Sequence, residues 1–113
     1  MKFFVGVTDN KWYRFLSSIK PDEVNFWRPS GTGFSAIDIG SPFLFKLHSP
    51  LNYITGGGYF VKAEKLPLSI AWKVFHEKNG APDFESFYQL IMAKRNDNKH
   101  DPEITCLILN EPF

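Results

Sequence analysis

Apolar side chains along this chain follow two periods, and the switches between them mark its elements. Lys2 to Thr8 is an apolar, β-branched and aromatic run closed by polar residues, as a buried strand should be. Thr8, Asp9 and Asn10 then offer helix N-caps, and Trp12, Phe15, Leu16 and Ile19 fall at i, i+3, i+4 and i+7, one stripe facing a core. Lys20-Pro21-Asp22 ends that helix. From Glu23 to Arg28 the period returns to two: Val24 and Phe26 share one face, Asn25 and Trp27 the other, and Pro29 closes the strand. After a loop and a turn, Phe43 to His48 forms a strand with Phe43, Phe45 and Leu47 on one face and Leu44, Lys46 and His48 on the other.

Tyr53 to Val61 is a strand interrupted by Gly56-Gly57-Gly58, which predicts a bulge, a sharp bend or the close approach of another backbone or a ligand. Pro67 opens a helix carrying Leu68, Ala71, Trp72 and Phe75 on one stripe, and Asn79-Gly80 offers a left-handed cap, with His76 and Lys78 in the last turn complementing the helix dipole. A third helix starts near Asp83, with Phe84, Phe87, Tyr88 and Ile91 aligned and Lys94-Arg95 at its end. Glu103 to Leu109 is apolar on both faces and so predicts a central strand. The order is strand, helix, three or more strands, two helices, strand. Successive strands lack the helices that parallel crossovers require, which predicts a strongly bent or barrel-like α+β domain.

At 113 residues the chain fits one domain. Aromatic residues make up 17%, more than a core alone usually needs, which leaves rings available for a pocket. A formal net charge of +1 excludes a protein that coats nucleic acid through its global field, so any such binding must rest on a local patch. Cys106 is the only cysteine; it cannot form an internal disulfide, it sits in an apolar run as an inert thiol would, and it suits a reducing, cytoplasmic setting. Thr8-Asp9-Asn10 cuts the N-terminal apolar run too early for a signal segment, and no apolar stretch approaches the roughly 18 residues of a membrane span.

Catalytic chemistry is not visible in the sequence. His48, His76 and His100 are scattered without partners at metal-ligand spacing, and Asp22, Asp38, Asp83 and Glu85 occur singly, where capping and solvation explain them. Pro29-Ser30-Gly31-Thr32-Gly33 is neither a nucleophile elbow nor a Walker loop, and the triple glycine is not a dinucleotide fingerprint, so no metal or cofactor is expected. A binding constellation remains. Asn25, Trp27 and Arg28 supply amide hydrogen bonds, a stacking surface and charged donors, and Ser30, Thr32 and Phe34 form a loop able to close over a ligand. Lys46, His48 and Tyr59 are supporting candidates, and Lys94 and Arg95, with Lys99 and His100, form a basic cluster. Trp12 and Trp72 fall on helical core stripes, which leaves Trp27 as the tryptophan with a face free for a ligand.

Phe4-Val5-Gly6-Val7-Thr8-Asp9, Val24-Asn25-Phe26-Trp27-Arg28-Pro29-Ser30-Gly31, Pro42 to His48, Gly56-Gly57-Gly58, Leu66-Pro67-Leu68-Ser69 and Lys78-Asn79-Gly80-Ala81 together resemble the N-terminal domain of a family of bacterial HNH restriction endonucleases. Essentially the whole chain is covered. The resemblance implies a PUA-superfamily domain, related to the SRA and EVE readers of modified bases, that selects double-stranded DNA while an HNH nuclease domain in the same polypeptide cuts it. It implies a specificity domain that does not itself cut. The residue roles come from the side chains themselves: a flipped base would stack on Trp27, be read at its edge by Asn25 and be held by Arg28. Two other readings stay open on the residues alone: an RNA- or nucleotide-binding module of the same superfamily, and a protein-interaction domain in which the aromatics are only core.

Overall fold

The computed structural model describes residues 2–31, 34 and 38–113. It is an α+β domain in which five strands form one curved, mixed sheet in the order β1-β3-β4-β5-β2. Along the chain these are β1 (Phe4–Thr8), α1 (Asn10–Ile19), β2 (Glu23–Arg28), β3 (Pro42–Leu47), β4 (Ile54–Pro67), α2 (Leu68–Phe75), a 3₁₀ turn (His76–Asn79), α3 (Phe84–Met92) and β5 (Glu103–Asn110). β1 runs parallel to β3, and the other neighbours are antiparallel. The expected order of elements holds.

Local chemistry sets the element ends. Asp9 caps α1, its carboxylate accepting from the backbone N–H groups of Lys11 and Trp12. Asp83 caps α3 through Ser86 N–H at 2.8 Å. The second helix ends with its stripe at Phe75, short of the expected Asn79-Gly80 cap: His76 takes a positive φ of 47°, and the chain tightens into the 3₁₀ turn that Gly80 closes at φ 93°. β4 continues past Val61 to Pro67, because Lys62 to Pro67 keep pairing with β5 although Lys62, Glu64 and Lys65 break the apolar pattern.

The central position of β5 follows from burial on both its faces. Inside the curl, Trp12 meets Phe26 and Phe45 edge-to-face at 5.5 and 5.2 Å, and Phe43 packs against Phe26 at 4.8 Å. On the opposite face α2 and α3 bring Trp72, Phe87 and Ile91 down onto the sheet, where Trp27 meets Phe87 at 6.0 Å. The triple glycine serves close approach: Phe113 and Gly57 exchange backbone hydrogen bonds at 3.0 and 2.9 Å, and a methyl group at Gly56 would lie 2.4 Å from the Phe113 carbonyl oxygen. Among the described residues, no helix is long and apolar enough to cross a membrane.

Candidate functional site

The two edge strands, β1 and β2, are the ends of the sheet order, yet the curl brings them together. A methyl group at Gly6 of β1 would sit 2.7 Å from Phe26 Cζ of β2. Among the described residues the strands do not pair with each other, and each has a ladder on one side only, its remaining backbone groups turned toward the seam. Trp12 Nε1 satisfies one of them, donating to the Asn25 carbonyl at 3.2 Å.

A cavity of about 270 Å³ opens along this seam. Gly6, Val7 and Thr8 line one wall, Phe26 and Trp27 the other, and Trp12 borders it from α1. Ligand pockets typically begin near ~300 Å³, so this one suits a single ring system rather than a larger molecule. Its mouth carries Arg28, His48, Lys94 and Asp9.

Each mouth residue is held differently. The Arg28 guanidinium lies over Phe34 at 4.9 Å and Phe4 at 5.9 Å from the ring centroids, a cation–π arrangement that fixes its plane and leaves its N–H edge available. His48 is tied through its backbone, whose N–H donates to Asn10 Oδ1 at 3.0 Å, while its side chain is exposed. Lys94 Nζ lies 3.2 Å from Asp9 Oδ2. Burial alone would push the Asp9 carboxyl up, but hydrogen bonds from Trp12 N–H and Lys94, with the Lys94 charge, outweigh it and hold the group below the usual aspartate value.

Two further hollows adjoin the mouth. A groove of about 900 Å³ runs between the start of α1 and α3, sharing Asp9, His48 and Lys94 with the cavity. A second, of about 340 Å³, lies between Pro29 and Ser30 on one side and Arg95 to Asp97 on the other. Lys94 borders all three.

The candidates from sequence therefore divide. Trp27, Arg28, His48 and Lys94 meet at the cavity, Phe34 backs Arg28, and Ser30 lines the smaller groove. Thr32 lies outside the described residues. The free face assigned to Trp27 is corrected: the side chain is 7% exposed, its Nε1 donates to the Asn79 carbonyl at 2.8 Å, and Phe87 packs against its ring. It borders the cavity as wall, not as an open stacking platform. Asn25, expected to read a base edge, has no exposed surface and donates to Asn79 Oδ1 at 2.8 Å beneath the 3₁₀ turn. Trp72, expected in the core, is only half-buried.

Arg95 is spent within the fold: its guanidinium forks onto Asp97 and also donates to the Pro29 carbonyl, tying the exit of β2 to the end of α3. Lys46 lies on β3 opposite the buried Phe45 and Leu47, and Tyr59 lies on the middle strand β4 against Phe113, so neither borders the cavity. Burial pushes the Cys106 thiol up to about 11, with a smaller opposing effect from the Asn25 side chain, and so keeps it protonated. Among the described residues, no group of three or more His, Cys, Asp or Glu could hold a metal ion.

Sequence reasoning missed Asp9 as a mouth residue and the β1 edge as a wall. The Thr8-Asp9-Asn10 cap cluster was the available signal, but only the curl of the sheet, which no local pattern shows, puts β1 beside β2.

No family model matches the chain, and no curated protein matches it in sequence. Among solved structures it is similar to ZmASCH from Zymomonas mobilis, crystallised as a point variant, with a TM-score of 0.66 at 10% identity over 98% of this chain and 70% of that one. That protein is an ASCH domain, and the likeness is one of fold: this chain has a PUA-like architecture.

Proposed function

We propose that this chain is a nucleic-acid reader domain that accepts a modified base of double-stranded DNA, turned out of the helix, in the cavity between β1 and β2. The observation that carries the reading is the cavity itself: a ring-sized space between two strand edges that do not pair among the described residues, with Arg28, His48 and Lys94 at its mouth. Strand edges offer the N–H and C=O groups that a base edge needs, and the apolar walls accept its ring. Arg28 and Lys94 at the mouth suit the phosphates on either side of the extruded nucleotide. Extrusion costs a few kcal/mol, which ring burial, edge hydrogen bonds and phosphate contacts can offset.

In this reading the exposed His48 imidazole replaces Trp27 as the ring available to a base, and Arg28 is the principal phosphate contact. The domain selects and does not cut. Resemblance to the restriction endonucleases supports a cytoplasmic protein in which an HNH nuclease domain acts on the selected DNA.

The test is a binding panel: duplexes with methylated, hydroxymethylated, glucosylated or phosphorothioated positions, against unmodified DNA and RNA, at two salt concentrations. Tighter binding of one modified duplex is the expected result. Preference for RNA would favour a 2′-hydroxyl reader, and no binding to any probe would leave the domain an interaction module.

A further inference from the structure

Lys94 stands where the cavity and both grooves meet, and it is not free there. Its contact with Asp9 joins the end of α3 to the start of α1 across 85 residues of chain. The Asp9 side is fixed: Oδ1 accepts from Lys11 N–H at 2.8 Å and from Trp12 N–H at 3.2 Å, so the carboxylate cannot turn without uncapping the helix. The Lys94 side is a flexible four-carbon stem with three donors, 40% exposed, and can swing.

We infer that Asp9 is an internal competitor for the anion-binding lysine of this site: it holds Lys94 in the free protein, and a phosphate at the cavity mouth must take the ammonium from it. This rests on the nucleic-acid reading above. An ammonium–carboxylate pair whose lysine is 40% and whose aspartate is 22% exposed is still screened by solvent and weak, so the exchange is close to even, and a phosphate arriving alone gains little. A ligand that also seats a ring in the cavity presents its phosphate already oriented and gains the contact at smaller entropic cost. Asp9 thereby lowers the affinity for any anionic chain that does not fill the cavity.

The experiment is a double-mutant cycle with Asp9→Asn and Lys94→Gln, read by fluorescence anisotropy on short duplexes, unmodified and carrying 5-hydroxymethylcytosine. Asparagine caps a helix as well as aspartate, so α1 is retained. Asp9→Asn alone should tighten binding roughly two- to fivefold, the exchange value of one exposed ion pair. In the Lys94→Gln background the same substitution should change nothing. An equal gain in both backgrounds would reduce the effect to net charge and overturn the inference, as would no gain in either. Carbon-13 titration of the Asp9 carboxyl follows the pair without DNA: Lys94→Gln should move its midpoint upward, and an unmoved midpoint denies the pairing. If no duplex or RNA binds any variant, the reading and this inference fall together; binding with a neutral Asp9→Asn removes this inference alone.

Discussion

The side-chain amide of Asn25 donates to Asn79 Oδ1 at 2.8 Å, joining β2 to the 3₁₀ turn across 54 residues, and neither residue has exposed surface. Asn79 is the hub of this side of the domain. Its own amide donates to the Ala71 carbonyl at 3.0 Å and the His76 carbonyl at 2.9 Å, and its backbone carbonyl accepts from Trp27 Nε1. The hub therefore closes the end of α2 and seats the turn on β2.

Asn79→Ala removes three side-chain bonds and strands the buried Asn25 amide, while the Ala71 and His76 carbonyls keep only their helical partners. A buried polar group left without a partner costs about 1–3 kcal/mol, so urea unfolding should show a loss of roughly 2–4 kcal/mol. A loss below about 0.5 kcal/mol would mean water or a neighbour replaces the asparagine.

Trp27 gives a graded test of the same face. Trp27→Ala empties a large space between β2 and Phe87 and should cost about 3–5 kcal/mol. Trp27→Phe keeps a ring but loses the bond to the Asn79 carbonyl, leaving it buried and unpaired, so a smaller cost of about 1–3 kcal/mol is expected. A Trp27→Ala protein with native stability would place the ring outside the core.

Gly80 is fixed by two independent constraints. Its φ is 93°, and a methyl group there would lie 2.0 Å from Trp12 Cδ1. Left-handed strain alone costs roughly 1–2 kcal/mol, and displacing a buried tryptophan adds to it. Gly80→Ala should therefore lower the melting temperature by several degrees, on the scale of ~4–8 °C per kcal/mol for a domain of this size. It should also disturb the cavity, which Trp12 borders.

These residues show what sequence patterning reaches and where it stops. Alternation in β2 separated Val24 and Phe26 from Asn25 and Trp27, and that separation holds. It did not tell which face was covered, because the cover comes from α2, the 3₁₀ turn and α3, some 50 residues further on. The two-sided burial of β5 was legible as a local pattern with one packing solution, and so was half of the α1 stripe: Trp12 and Leu16 are buried, but Phe15 is half-buried and Ile19 exposed. Three adjacent glycines announced a close approach without naming Phe113 as the partner. Asp9 was legible as a cap, while its pairing with Lys94 depends on how the two helices converge. Arg95 read as a free cation because its partners, Asp97 and the Pro29 carbonyl, are a matter of loop geometry.

The Asp9 carboxyl has a lowered pKa in the folded protein. A depressed carboxylate pKa adds stability that is fully present above the unfolded value, about 3.9, and is lost as pH falls through the folded value below it. Wild type should therefore lose part of its stability below about pH 4 that Asp9→Asn does not lose, because asparagine has no proton to take up. Urea midpoints of the two proteins across the acid range check this, and parallel curves would remove the coupling.

Arg28 and Lys46 separate the candidate mouth from the outer sheet face. Both are half-buried cations on strands of the sheet, but only Arg28 borders the cavity. Arg28→Gln should weaken DNA binding and flatten the dependence of log affinity on log salt by about 1, the signature of one lost phosphate contact. Lys46→Gln should leave that slope unchanged, since its side chain lies on the strand face opposite Phe45 and Leu47, away from the seam. Equal loss of slope in both variants would move the DNA path from the seam onto the β1–β3 face, whereas loss confined to Arg28 ties affinity to the cavity mouth.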